Sequence, residues 1–258
     1  MKTAIVQINN TLSIENNYNT IKKYIKRAFD LEVKLIAFPE CALTGYISDK
    51  DKLIAIEKDN IYLTKLKDLY KKYNIEIFIG SNIFEDNKIY NSYLHITDEI
   101  DYYYKTHLGK NEKKIYTPGD KLNLFSGYIK SGIAICVESH IPEVFLTHRL
   151  NGAKLVITPF ASPINCGSRE KVWKKYLLTR AYDNGVNIVC TNLTGKLDNL
   201  SYDGGLLAVN PKGDIIDEKY NTNEDMLVVN LDIDDKYQDK NYKKNYVSRR
   251  NYNLYRRS

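Results

Sequence analysis

The chain has 258 residues, 43% hydrophobic and 27% charged, which is the composition of a folded globular protein and excludes a largely disordered one. That length suits one large α/β domain, and no apolar run is long enough to span a membrane. The net charge of +6 is unevenly placed: residues 236–258 hold eight Lys or Arg against one acidic residue, so residues 1–235 together carry only −1.

A neutral body with a basic tail argues against a nucleic-acid-binding domain. The four cysteines (Cys41, Cys136, Cys166, Cys190) form no CxxC pair. With no secretory leader, because the short apolar start at residues 2–8 reads as a strand, they are expected to be reduced thiols of a cytoplasmic protein. The four histidines form no HExxH pair and have no metal-ligand spacing with the cysteines, so neither a metal nor a cofactor is expected.

In chain order, residues 2–8 predict a strand and 15–31 a helix, with Tyr18, Ile21, Ile25, Ala28 and Leu31 on one face. A buried strand follows at 33–38 and a helix at 61–73. Strands are expected at 75–83, 89–96 and 99–105, the first two joined by a hairpin turn at Glu85-Asp86-Asn87. Further strands are expected at 122–128 and 131–137, a helix at 142–152 and a strand at 154–158. Ser168 reads as the N-cap of one continuous helix to Asn184. The body closes with strands at 186–193, 204–210, 213–219 and 226–232, and Asn210-Pro211-Lys212-Gly213 as a turn. No repeat or linker interrupts the order. The mixture of β-α-β units and hairpins suits two packed sheets covered by helices on their outer faces.

Three strand ends carry reactive side chains in apolar surroundings. They are Phe38-Pro39-Glu40-Cys41, Tyr104-Lys105-Thr106-His107, and Ile135-Cys136-Val137-Glu138. Taken singly each has an ordinary explanation: a solvated loop glutamate, a surface lysine, a cysteine serving as a small hydrophobe. Together they have complementary roles. A thiol needs a base to become a nucleophile, and an oxyanion needs a fixed cation and N–H donors.

These segments resemble the nitrilase, or carbon–nitrogen hydrolase, superfamily, and the resemblance spans nearly the whole chain. Phe38-Pro39-Glu40 with Leu43-Thr44-Gly45-Tyr46 is similar to its glutamate motif. Lys105-Thr106-His107-Leu108, Glu112 and Tyr116-Thr117-Pro118-Gly119-Asp120 are similar to its lysine motif, and Gly132 to Cys136 with Pro142-Glu143 to its cysteine motif. Residues 151–159, then Trp173, Arg180-Ala181-Tyr182-Asp183-Asn184 and Asn192-Leu193-Thr194-Gly195, resemble later segments in the same order.

The resemblance implies a four-layer α-β-β-α sandwich, dimeric through its outer helices. It implies Glu40 as general base, Cys136 as nucleophile, and Lys105 with the Val137 N–H as oxyanion donors. Glu112 would be a second glutamate that orients substrate and lysine. Tyr46, Glu138, His140, Phe160 and Ser162 are candidates to line the substrate pocket, while local packing or hydrogen bonding would account equally for His140, Phe160 and Ser162. Val137-Glu138 departs from the aromatic-Asp pair often found after the family's cysteine; Glu138 is reminiscent of true nitrilases, whereas Pro142-Glu143 is closer to amidases and carbamoylases. The implied activity is hydrolysis of a non-peptide C–N bond in a small primary amide or N-carbamoyl compound, through a thioester and with release of ammonia. Nitrile hydrolysis, or an idle binding protein that uses its basic tail, are the alternatives. Residues 1–235 are read as one hydrolase domain. Residues 236–258, where Tyr is interleaved with Lys and Arg, are read as a segment packing at the homodimer interface; nucleic acid and membrane partners are not expected.

Overall fold

The computed structural model describes residues 1–47, 49–237, 239, 241 and 245–255. Strand β1 (Lys2–Gln7) leads into helix α1 (Ile14–Asp30), strand β2 (Leu35–Ala37) and helix α2 (Ile61–Tyr73). A meander of β3 (Glu76–Glu85), β4 (Lys88–Ile96) and β5 (Ile100–Tyr104) follows. Then come β6 (Leu124–Phe125), β7 (Ser131–Ile133), α3 (Pro142–Leu150), β8 (Leu155–Pro159), α4 (Arg169–Lys174) and α5 (Leu177–Asn184). The chain closes with β9 (Asn187–Thr191), β10 (Thr194–Leu197), β11 (Leu200–Asp203), β12 (Leu206–Val209), β13 (Ile215–Lys219) and β14 (Asp225–Asn230).

Two six-stranded sheets result, in the orders β14-β1-β2-β3-β4-β5 and β13-β12-β9-β8-β7-β6. Each is parallel at its centre, through β1-β2-β3 and β7-β8-β9, and antiparallel outside. Side chains alternate between the faces of a strand, so one apolar run can serve two cores. Leu35, Ala37 and Phe78 point between the sheets and meet Ile133, Leu155, Ile157 and Val189 of the second sheet. Their neighbours Ile36, Ile77 and Ile79 point the other way, onto Ile21, Ile25 and Ala28 of α1 and Leu63 and Leu66 of α2. On the far side Val156, Ile188 and Leu207 pack against Val144, Phe145, Trp173, Leu177 and Ala181 of α3, α4 and α5. The layers are therefore α-β-β-α, as the family resemblance implies.

Tertiary contacts explain the departures from periodicity. The helix expected over 168–184 is two, α4 and α5, because Tyr176 leaves helical geometry with φ −136°. Its ring packs on His140 at 4.3 Å and its hydroxyl lies 3.0 Å from Ser139 Oγ, contacts a continuous helix would not place there. Ser168 precedes α4, yet its side chain makes no capping bond. The strand expected over 131–137 stops at Ile133, and residues Cys136–His140 form a single 3-10 turn. The strand expected over 122–128 shortens to two residues, and the β10–β11 hairpin has no counterpart in the periodicity. No helix among the described residues is long and apolar enough to cross a membrane. Within the basic tail, Tyr246 packs its ring on Tyr182 of α5 in the same chain at 5.6 Å. Tyr242, Lys243, Lys244, Arg256 and Arg257 of that segment lie outside the described residues.

Candidate active site

Parallel strands deliver their C-terminal ends to one edge, and three of the candidate residues sit just past such ends or a hairpin strand. Glu40 follows β2, where the chain crosses β3 so closely that a Cβ on Gly80 would stand 2.2 Å from the Cys41 nitrogen. Only glycine allows that approach. The next residue, Cys41, then turns away in the left-handed region with φ 51°. Lys105 follows β5, its N–H donating to the Asn91 carbonyl and its carbonyl accepting from Gly119 N–H, both at 2.9 Å. Cys136 opens the 3-10 turn after β7 with φ 46°. Left-handed geometry is unfavourable for a residue with a Cβ, and such strain gathers at functional positions.

These loops bring three charges together. Lys105 Nζ lies 2.7 Å from Glu40 Oε1 and 2.7 Å from Glu112 Oε1. Glu40 and Lys105 are each only 1% exposed. A buried ion must be paired and hydrogen-bonded to be tolerated, and each carboxylate has further donors. Asn91 Nδ2 donates to Glu40 Oε1 at 2.7 Å, Ala161 N–H to Glu40 Oε2 at 2.8 Å, and Gly109 N–H to Glu112 Oε2 at 2.6 Å. Tyr46 donates its hydroxyl to Glu112 Oε1 at 3.4 Å.

The electrostatics follow from that arrangement. Burial, with the like charge of Glu112, pushes the Glu40 carboxyl above its ordinary value against the pull of Lys105. Burial opposes the charge on Lys105, but its two carboxylates outweigh it and hold the ammonium well above the usual lysine value. Burial and the two glutamates push the Cys136 thiol far up, while Lys105 and Arg169 pull it down. A thiol in that field is biased toward its protonated form.

Glu138 does not line an opening. It is fully buried, and its Oε1 accepts from Thr106 N–H at 2.7 Å, Thr106 Oγ1 at 2.6 Å, Tyr103 hydroxyl at 2.8 Å and His107 N–H at 3.2 Å. Its Oε2 accepts from Ile135 N–H at 2.8 Å. Burial pushes the carboxyl up, but the His107 side chain, 3.9 Å away, and the bonds from Thr106, Ile135 and Tyr103 outweigh it and hold it below its ordinary value. The residue expected to contact substrate instead ties the segment after Lys105 to the turn bearing Cys136.

Phe160 is buried against Trp173, with ring centroids 4.9 Å apart. Ser162 is buried, with its backbone clamped by Asn192, whose Oδ1 accepts from Ser162 N–H at 2.9 Å and whose Nδ2 donates to the Ser162 carbonyl at 3.1 Å. His140 lies at the surface on Tyr176. The Val137 N–H donates to no acceptor of the chain among the described residues, as expected at the start of a helical turn. No group of three His, Cys, Asp or Glu side chains placed to hold a metal ion occurs among the described residues.

Sequence reasoning missed Asn91 and the N–H groups of Ala161 and Gly109. A polar amide inside an apolar strand was the signal for Asn91. Backbone donors leave no side-chain signal at all.

The family model for carbon-nitrogen hydrolases matches residues 2–241. A probable nitrilase of Schizosaccharomyces pombe is 27% identical over 248 residues, covering 91% of this chain and 88% of its own. A deaminated glutathione amidase of Dictyostelium discoideum is 27% identical over 259 residues, covering 90% and 88%. Among solved structures, a cysteine-to-alanine mutant of an amidase of the nitrilase superfamily from Nesterenkonia AN1 superposes with a TM-score of 0.85 at 22% identity, covering 99% of this chain and 95% of that one. At that identity the structural likeness speaks for the fold alone, which is the same sandwich. With motifs, layers and family model in agreement, the chain belongs to the carbon-nitrogen hydrolase family of the nitrilase superfamily.

Proposed function

We propose that the protein hydrolyses a small primary amide or N-carbamoyl compound through a thioester on Cys136. The observation that carries this reading is the buried Glu40–Lys105–Glu112 cluster, held at 2.7 Å contacts, with its charges felt at the Cys136 thiol.

The Cys136 sulfur attacks the carbonyl carbon as its proton passes to Glu40. A carboxylate whose affinity for protons is raised is better matched to that transfer than an ordinary one. The carbonyl oxygen becomes an oxyanion, for which Lys105 Nζ and the Val137 N–H are the donors. Collapse of the tetrahedral intermediate breaks the C–N bond, and Glu40 returns the proton so that ammonia leaves. Water then attacks the thioester with Glu40 again as base, releasing the acid and restoring the thiol. Glu112 keeps Lys105 charged and oriented, and Asn91 and Ala161 N–H fix the Glu40 carboxylate.

The test is ammonia release from a panel of primary amides, ureido acids, N-carbamoyl amines and nitriles, with Cys136→Ala beside the wild type. Ammonia from the amide or carbamoyl members that disappears in the variant supports the reading. Release from nitriles alone would make the protein a nitrilase, and release that survives in Cys136→Ala would refute the mechanism.

A further inference from the structure

Ser139 is a buried hydroxyl to which the mechanism gives no role. It stands three residues after Cys136, in the 3-10 turn Cys136–His140, and its Oγ donates to the Cys136 carbonyl at 2.5 Å. A serine hydroxyl has one hydrogen, and a carbonyl can only accept. The 3.0 Å contact between Ser139 Oγ and the Tyr176 hydroxyl therefore has Tyr176 as its donor. A serine on a helical turn often bonds a carbonyl of that same turn and does nothing more. Here a second element takes part: Tyr176 leaves helical geometry between α4 and α5, at φ −136°, and its hydroxyl reaches Ser139.

The peptide that the hydroxyl grips gives the contact its meaning. The Cys136 carbonyl and the Val137 N–H belong to one planar peptide unit, which is trans like every other among the described residues. In a trans peptide the C=O and the N–H point in opposite directions, so a hold on the carbonyl oxygen sets the line of the N–H. Among the described residues that N–H has no acceptor in the chain, and it is one of the two donors given to the oxyanion above. The unit needs a hold, because it adjoins Cys136, whose φ of 46° is unfavourable for a residue with a Cβ, and the backbone bonds of a 3-10 turn have poor geometry. A hydrogen bond accepted by the carbonyl also polarises the amide and makes its N–H a stronger donor, and the Tyr176 hydroxyl adds to that from behind.

We propose that Ser139 is a positioning residue for the oxyanion: the Tyr176 hydroxyl, the Ser139 hydroxyl and the Cys136–Val137 peptide form one directed chain of donors that aims the Val137 N–H at the developing charge. The inference rests on the hydrolase reading above and adds two side chains to it. Among the described residues neither of them bonds Glu40, Lys105 or Glu112, so removing either leaves the base and the lysine their own partners.

Turnover of propionamide, set against the plain reactivity of the thiol, tests it on the full chain. Ser139→Ala should lower kcat about 10-fold with KM within about twofold, since a misaimed donor costs less than a lost one. Tyr176→Phe, which keeps the ring on His140, should lower kcat in the same way by about 2–5-fold, and carries the test if circular dichroism shows Ser139→Ala unfolded. Methyl methanethiosulfonate offers Cys136 no carbonyl: the sulfur forms a disulfide with the methylthio group as methanesulfinate leaves. Its rate at Cys136, read by peptide mass, should therefore stay within about twofold in both variants. A rise in KM with kcat unchanged, or a thiol slowed as much as turnover, would overturn the inference, because the hydroxyl would then brace the turn or serve the thiol. If wild type releases no ammonia from propionamide, the hydrolase reading fails for that amide, and propionaldehyde decides the contact separately. The Cys136 sulfur bonds the aldehyde carbon, the C=O π bond breaks, and the thiol proton goes to the oxygen, giving a thiohemiacetal whose oxygen takes the place of the oxyanion. Protection of Cys136 from methyl methanethiosulfonate should need about 5–10-fold more propionaldehyde in Ser139→Ala than in wild type. Equal concentrations, or no protection of wild type, would overturn the assignment.

Discussion

Cys41 and Cys136 make a natural pair for comparison. Each lies just beyond the end of a central parallel strand, β2 or β7, in the left-handed region with φ of 51° and 46°. Each thiol is pushed up by burial and by Glu40 and pulled down by Lys105. The electrostatic setting is therefore shared. What differs is access and partnership: Cys41 is sealed, its Sγ donating to Asn82 Oδ1 at 3.2 Å, whereas Cys136 is half-buried and its thiol makes no hydrogen bond among the described residues. A backbone strained in the same way holds a sealed thiol in one loop and, in the other, the thiol to which the proposed mechanism gives the attack.

The comparison breaks most visibly by substitution. Cys136→Ala should lower kcat by about 10⁴-fold or more, whereas Cys41→Ser, which keeps a donor for Asn82, should cost less than about tenfold. Steady-state ammonia release with each purified variant checks both, and equal losses would erase the distinction between the two thiols.

Next in size are the groups the thiols share. Glu40→Gln should cost about 10²–10⁴-fold in kcat, the range of a lost general base. Lys105→Met should cost about 10²–10³-fold as an oxyanion donor, and should also destabilise the fold, because it leaves two buried carboxylates without their cation. Activity close to wild type in either variant, with the fold intact by circular dichroism, would remove that residue from its role.

Glu138 gives an intermediate effect of another kind. Glu138→Gln turns some of its donors into unpaired or opposed groups, and should cost about 2–4 kcal/mol, or roughly 5–15 °C in Tm. Because the folded carboxyl is held below its ordinary value, its contribution to stability is present above the unfolded value and is lost as pH falls through the folded one. Thermal melts on acidification should therefore decline more steeply for wild type than for Glu138→Gln. Parallel curves would show that the carboxylate charge does not matter there.

The smallest expected effect is a displacement of the pH profile. Glu40 is raised, so its base form is lost as pH falls through a value above that of an ordinary glutamate, and the acid limb of kcat/KM should lie there. Removing the like charge in Glu112→Gln should move that limb to lower pH in whatever activity survives. A limb that stays in place would mean that the two carboxylates do not sense each other.

Much of this was legible in the chain itself. Alternating faces and continuous apolar strands such as Leu35–Ala37 and Leu155–Pro159 state the two-sheet core directly, since each must be buried on both sides. Glu40, Lys105 and Cys136 stood at strand ends and resembled a known set. What local pattern could not supply was long-range. Asn91 meets Glu40 across 51 residues and Ala161 meets it across 121, contacts that no periodicity encodes. Glu138 entered as a pocket candidate through its likeness to true nitrilases, and nothing local announced its partners at Tyr103, Thr106 and His107, which turn it inward. Tyr176 broke a helix for the sake of His140 and Ser139, again a tertiary contact overriding local preference.

In the proposed mechanism Cys136 carries the acyl group between two chemical steps. Adding hydroxylamine to the reaction of a turned-over amide tests it most directly, because a thioester partitions between water and the stronger nucleophile. Hydroxamate is expected to appear at the expense of free acid while ammonia release continues, and both products should vanish in Cys136→Ala. Ammonia release without any hydroxamate, or hydroxamate formed equally well by Cys136→Ala, would contradict it.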